Sequence, residues 1–171
     1  MKLKTTQLEI DVREGTVDDV PLLLSFIQAM AEFEKLEVTA NEELLRDSLF
    51  GARPAAHVLL AFANDKPAAY AAYFFSFSTM LGKRGLWLED IFVHPEFRRK
   101  GIGKALMAYL ADIAVKQQCG RFEWIVLDWN KTAIEVYEGL GANILDEWRI
   151  CRLGDRKLAG LAREIHTLTR D

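Results

Sequence analysis

Cysteine is scarce in this chain: Cys119 and Cys151 are the only two in 171 residues, too few for a disulfide framework, so free thiols are the default reading. Histidine is scarce too, and His57, His94 and His166 are scattered. With no C-x-x-C spacing and no His/Cys cluster, no metal site is expected. No apolar run comes near the roughly 20 residues of a membrane-spanning helix. The first eleven residues alternate charged and apolar side chains and lack the apolar stretch of a signal peptide. No membrane partner is expected, and a cytoplasmic location is. Excess positive charge is also missing: the net charge is −3, which argues against nucleic acid as a partner. Linkers, repeats and low-complexity tracts are absent, so residues 1–171 are expected to form a single domain.

What is present is ordinary globular composition, half hydrophobic and about a quarter charged. Residues 8–13 alternate with period two and predict a strand. Thr16 is a candidate N-cap with Asp18 and Asp19 behind it. A long amphipathic helix is predicted over 17–36, a second over 41–50. Residues 57–63 and 67–76 predict two strands joined at Asn64-Asp65-Lys66, a hairpin signal. A polar turn at 80–85 leads to a strand over 86–93. A helix is predicted over 101–118, a β-branched and aromatic strand over 122–128, and a helix over 132–140 that Gly141 ends. Residues 143–153 predict a further strand, and 157–169 can be helical. The order β-α-α-β-β-β-α-β-α-β implies an α/β domain with a mixed sheet and helices on its faces.

The most informative stretch is 90–104, Asp-Ile-Phe-Val-His-Pro-Glu-Phe-Arg-Arg-Lys-Gly-Ile-Gly-Lys. A strand, a basic glycine turn and a helix start in succession make a site where backbone N–H groups converge and the helix dipole favours an anion. Gly101 and Gly103 let a ligand approach the main chain without Cβ interference. Two other phosphate motifs are excluded. A dinucleotide fingerprint needs G-x-G-x-x-G/A, but its third small residue is Leu106 here. A P-loop needs Ser or Thr after Gly-Lys, but Ala105 follows. Taken alone, the stretch also fits a glycine-softened, basic helix start.

The pattern Arg98-x-x-Gly101-x-Gly103 resembles the coenzyme A pyrophosphate loop of the GCN5-related N-acetyltransferases. The closer resemblance is to the diamine acetyltransferase branch, in particular its thialysine-acetylating members. It rests on 87–93 (Trp-Leu-Glu-Asp-Ile-Phe-Val), on 127–142 (Leu-Asp-Trp-Asn-Lys-Thr-Ala-Ile-Glu-Val-Tyr-Glu-Gly-Leu-Gly-Ala), and on Glu147-Trp148-Arg149 with 156–160. The resemblance implies that fold: a mixed, mostly antiparallel sheet flanked by helices, with an acetyl-CoA cleft at splayed central strands. It implies backbone hydrogen bonds from Ile91, Phe92 and Val93 to pantetheine, and a pyrophosphate held by Arg98, Arg99, Lys100, Gly101, Ile102, Gly103 and Lys104. Asn130, Thr132, Ala133 and Tyr137 border the cofactor on its other side. Glu89 matches the general base and Tyr137 the general acid. Homodimers are common in that branch.

Acetyl transfer to an amine needs a base for the amine, donors for the thioester oxygen and a proton for the departing thiolate. In an unbulged strand Glu89 shares a face with Trp87, Ile91 and Val93, surroundings that raise a carboxylate's pKa and improve it as a base. The alternative is a satisfied polar residue at a strand edge. Tyr137 follows Asn130 on a helix where a phenol could reach the sulfur, or it is a core tyrosine with Ala133, Val136 and Leu140. The acceptor is expected to be a small cationic amine, met by Phe33, Glu34, Glu89, Asp90, Asp128, Trp129, Glu147 and Trp148. Each acid could equally be a solvated surface charge. Polyamine-acetylating members carry an acid in the turn before the 86–93 strand; here 77–81 reads Phe-Ser-Thr-Met-Leu. That departure favours thialysine, a lysine-like amino acid or a short diamine over spermidine. The alternatives are another amine or peptide acceptor and a non-catalytic acyl-CoA sensor.

Overall fold

Period-two alternation builds a six-stranded sheet within the first 125 residues. The computed structural model describes residues 1–5 and 7–168, and Met1–Ile125 and Val126–Asp171 form two compact units. The strands are β1 (Lys2–Lys4), β2 (Glu9–Glu14), β3 (His57–Ala63), β4 (Lys66–Ser78), β5 (Lys83–Val93) and β6 (Arg121–Trp124), side by side in chain order. Every neighbouring pair is antiparallel except β5 and β6, which run parallel. Strand β1 carries too short an alternation to be read from sequence, and it exists because Leu3 pairs with Ile10. The β3–β4 turn is tighter than expected. Asn64 and Asp65 take φ of +50° and +59°, the left-handed pair a two-residue hairpin demands, so Lys66 already pairs with Ala63.

The first predicted helix divides. Thr16 caps a one-turn 3₁₀ helix at Val17–Asp19, and α1 then runs Val20–Glu34. Asp19 organises this entry. Its carboxylate accepts the Thr16 N–H at 2.8 Å and Thr16 hydroxyl at 2.9 Å, and Arg13 grips both its oxygens at 2.7 Å. Lys35, in the left-handed region at φ +57°, stops α1 before Leu36. Helix α2 (Glu42–Phe50) starts where Asn41 Oδ1 accepts the Leu44 N–H at 2.9 Å. Helix α3 (Ile102–Lys116) is the crossover that a parallel β5–β6 pair requires.

Helices cover both sheet faces, so β3 is buried from Val58 to Ala61 without alternation. Leu23 and Phe26 of α1 pack on Val58, Leu60, Tyr70 and Phe92, where Phe26 stacks on Tyr70 (5.7 Å) and meets Phe92 edge-on (6.2 Å). Helix α3 packs against β4, β5 and β6 and buries Ile102, Leu106, Met107, Leu110 and Ala114. Truncating any of these leucines to alanine is expected to cost about 2–5 kcal/mol.

The second unit holds α4 (Lys131–Gly139) and α5 (Asp155–Leu168). The expected end of the last helix at Thr169 lies outside the described residues. Two strand expectations are corrected. The strand of 122–128 ends at Trp124, and no strand forms over 143–153. β-Propensity reports fit to a packed, paired surface rather than an intrinsic backbone preference. Ile144, Leu145, Trp148, Ile150 and Leu153 are all exposed, so no packing holds that segment extended.

Candidate active site

The site begins where β5 loses a neighbour. Strand β6 pairs with β5 only from Gly85 to Leu88. Beyond that, among the described residues, no strand continues along Glu89–Val93 on that edge. The divergence lies between the last two strands of the sheet. At the same place β5 carries a bulge: Leu88 faces Tyr73 and Asp90 faces Ala72, leaving Glu89 as the extra residue. A bulge twists a strand and re-aims its side chains. Trp87, Asp90 and Phe92, opposite Phe74, Ala72 and Tyr70, therefore share the α1 face. Ile91 and Val93, opposite Ala71 and Ala69, lie on the other. The arrangement expected for an unbulged strand, Glu89 on one face with Trp87, Ile91 and Val93, is not the one adopted.

The bulge presents Glu89 to solvent, where its Oε2 accepts the Trp87 Nε1–H at 3.1 Å. The surroundings of Asp90 perturb its carboxyl. Burial pushes it up to about 6, the charges of Glu89 and Glu34 add to the rise, and a hydrogen bond from Tyr70 opposes it. Glu34, in the last turn of α1, is raised by its own burial. Tyr70 is completely buried, its hydroxyl 3.5 Å from Met30 Sδ, and burial followed by Asp90 holds its proton firmly. Within Ala68-Ala69-Tyr70-Ala71-Ala72, Tyr70 reads from the sequence as core, with no local signal of a role at the site. Only pairing through the bulge sets it beside Asp90. Phe33 neighbours Glu34 in sequence and is partly exposed.

The other end of the open edge is the glycine loop. After a 3₁₀ turn at Pro95–Phe97, Arg99 and Gly101 take φ of +62° and +82°. Left-handed residues alternating with extended or right-handed ones turn successive N–H groups to one side. No side chain caps α3 at Gly101, whereas Asn41 caps α2 and Asn130 caps α4, so the first-turn amides of α3 are left for another acceptor. A Cβ on Gly103 would meet only Val93 Cγ2, at 3.8 Å, an ordinary contact, so packing within the chain does not demand glycine there. Lys104 and Arg99 are exposed. The Lys100 ammonium donates to Glu96 O at 3.0 Å. Arg98 is occupied within the fold: its Nε donates to Val93 O at 3.0 Å, and its guanidinium lies 4.7 Å and 5.5 Å from the Phe33 and Phe92 ring centres.

In the second unit Asn130 caps α4 by accepting the Ala133 N–H at 3.2 Å, which sets Thr132 and Ala133 in its first turn. Tyr137 is half-buried on α4, a helix with no fully buried residue. Its companions Val136 and Leu140 are exposed, unlike the neighbours of a core tyrosine. Asp128, Trp129, Glu147 and Trp148 are exposed as well. Among the described residues no cluster of His, Cys, Asp and Glu could hold a metal, and no helix is long and apolar enough to cross a membrane.

The family model described as acetyltransferase (GNAT) matches residues 25–142. The chain is 37% identical to the thialysine N-epsilon-acetyltransferase of Bos taurus, over 88% of this chain and 96% of that protein. It is 33% identical to the L-ornithine N5-acetyltransferase of Arabidopsis thaliana, over 83% of each. Its fold is similar to that of an integron cassette protein from V. cholerae, with a TM-score of 0.76 and 27% identity over 90% of this chain and 98% of the other. An open strand edge leading into an uncapped, glycine-bearing helix start, within a match spanning most of the sequence, leads to one conclusion: the chain belongs to the acetyltransferase (GNAT) family and is an acetyl-CoA-dependent acetyltransferase.

Proposed function

We propose that the protein acetylates the amine of a small cationic acceptor: thialysine, a lysine-like amino acid or a short diamine. The observation that carries this reading is the open edge of β5, with the acids Glu34, Glu89 and Asp90 at one end and the uncapped amides of α3 at the other. A cation suits the first and a pyrophosphate the second. When bound, acetyl-CoA supplies the acetyl thioester and leaves as coenzyme A. Ile91, Phe92 and Val93 would hold its pantetheine arm through the backbone, as an added strand would be held. Arg99, Lys100, Gly101, Ile102, Gly103 and Lys104 would hold its pyrophosphate, and Asn130, Thr132 and Ala133 are assigned to the cofactor on the family resemblance.

Glu89 takes the proton of the amine, directly or through water, and Asp90 and Glu34 receive the remaining cationic charge beside Phe33. Asp128, Trp129, Glu147 and Trp148, exposed in the second unit, are assigned to the acceptor on the family resemblance. A backbone N–H of β5 would be the donor towards the thioester oxygen, a role worth roughly 2.7–4 kcal/mol per donor. The Tyr137 hydroxyl is the proton source for the departing thiolate. Relatives named for thialysine and L-ornithine support a short amine, as does the lack of an acid at 77–81, where β4 ends and turns towards β5. Residues 1–171 act as one domain in this reading. The exposed apolar side chains over 144–153, with Leu158 and Leu161 on α5, favour a homodimer.

The test is thiol release from acetyl-CoA with thialysine, lysine, ornithine, putrescine, spermidine and a basic peptide. Turnover best with a short amine supports the assignment. Spermidine as the best substrate would replace the short-amine reading with a polyamine one. Tight acetyl-CoA binding without turnover on any amine would make the protein a sensor.

A further inference from the structure

Arg98 stands in the pyrophosphate loop by sequence, yet its contacts run elsewhere. The Nε–H bonds the Val93 carbonyl at 3.0 Å, at the end of the open edge. The guanidinium lies against two aromatic rings from different elements, Phe92 of β5 at 5.5 Å and Phe33 of α1 at 4.7 Å. A guanidinium suits this: it is planar, permanently charged and less strongly hydrated than an ammonium, so it stacks on rings while donating in its own plane. Phe33 belongs to the last turn of α1, next to Glu34 and two residues before the left-handed stop at Lys35. Arg98 thus joins the end of the helix that carries Glu34 to the strand that carries Asp90.

We propose that Arg98 is a positioning residue for the acceptor amine, a latch between α1 and β5 that sets Glu34 against Asp90, and not a ligand of the cofactor phosphates. This rests on the reading of Glu34 and Asp90 as the carboxylates that meet the amine. Removing the latch lets the last turn of α1 drift and weakens amine binding. The phosphate-binding amides at Arg99 to Gly103 and the charge of Lys104 are left in place.

The experiment compares wild type with Arg98→Gln, Arg98→Lys, Phe33→Leu and the double variant Arg98→Gln/Phe33→Leu, with Lys104→Ala as control. Acetyl-CoA affinity is measured by titration without amine. The KM for the best amine and kcat are measured at saturating acetyl-CoA. Backbone amide exchange is followed over residues 31–36. The expected result is that Arg98→Gln and Phe33→Leu each raise the amine KM by about tenfold, a loss typical of one cation–π contact at a partly desolvated site. Acetyl-CoA affinity should change less than about threefold, and the double variant should be no worse than either single one. Exchange over 31–36 should rise in all three. Arg98→Lys should bind acetyl-CoA like wild type and keep part of the KM increase, because lysine replaces a point charge but not a stacked, in-plane donor.

A tenfold loss of acetyl-CoA affinity with the amine KM unchanged would overturn the proposal and make Arg98 a phosphate ligand. Additive effects of Arg98→Gln and Phe33→Leu would also overturn it. Unchanged exchange over 31–36 would show that no latch exists. Raised exchange with an unaltered amine KM would instead show that Glu34 and Asp90 do not meet the amine. Should Arg98→Gln fail to fold, Arg98→Lys and Phe33→Leu carry the same discrimination.

Discussion

Asp90→Asn should make the protein more stable and less active, and the stability gain should depend on pH. Burial together with Glu89 and Glu34 lifts the Asp90 carboxyl from the ordinary 3.8 to about 6. The folded state therefore binds this proton more tightly than the unfolded chain. The associated stability is fully present below pH 4 and is lost as pH rises through 6, so above that the charged carboxylate works against folding. A rise of this size corresponds to at most about 3 kcal/mol at pH 8. Asparagine has nearly the same shape, keeps an oxygen for the Tyr70 hydroxyl and carries no charge. At pH 8 the variant should gain up to about 3 kcal/mol, or roughly 6–12 °C in Tm for a domain of this size. The gain should shrink in high salt as the Glu89 and Glu34 contributions are screened. At pH 4 the two proteins should unfold alike. Urea denaturation at both pH values, with kcat/KM for the best amine from pH 5 to 9, measures both sides. The wild-type rate should fall below about pH 6, and the variant should lose activity across the range. A variant less stable than wild type at pH 8, or a stability difference that does not change between pH 4 and pH 8, would refute the reasoning.

Gly103→Ala should leave folding intact and gain up to about 1 kcal/mol from helix propensity, since the new Cβ meets only Val93 Cγ2 at 3.8 Å. If the loop holds a pyrophosphate, the same methyl group should weaken acetyl-CoA binding at least tenfold by isothermal titration. Tyr137→Phe should lower kcat by a factor of about 100 to 10,000 with little change in acetyl-CoA affinity, the range for one general acid, read in steady-state assays with thialysine. Asp19→Asn should cost about 1–2 kcal/mol at pH 7, discounted because Arg13 is partly exposed. Arg13 and Thr16 hold the Asp19 carboxyl well below the usual carboxylate range. That stabilisation is present above about pH 4 and lost as pH falls further, so the variant should approach wild type in urea midpoints at pH 2.5.

Much of the candidate site was legible because its signals are local. Asn41 and Asn130 announce helix starts by the side-chain oxygen each offers to an N–H three residues on. Arg98-x-x-Gly101-x-Gly103 marks a backbone conformation that a few residues determine among themselves. The two-residue turn at Asn64-Asp65 belongs to the same class. The strand expected over 143–153 shows the opposite case: its composition suits a sheet, but a strand exists only where a neighbouring ladder or packed face accepts it.

By itself the sequence determined the helix starts, the glycine loop before α3, the acidic residues beside the strand and the family. Each of these depends on contacts within a few residues, or on motifs read in order. Only the tertiary structure decided which carboxyl is perturbed and where Arg98 spends its charge. The bulge between Leu88 and Asp90 reverses the face of every residue that follows, because side chains alternate with period two. It sets Asp90 against Tyr70, a residue twenty positions away, and exposes Glu89. The rings that flank Arg98 come from α1 and β5, elements brought together by burial of the core between them and by nothing in the local spacing.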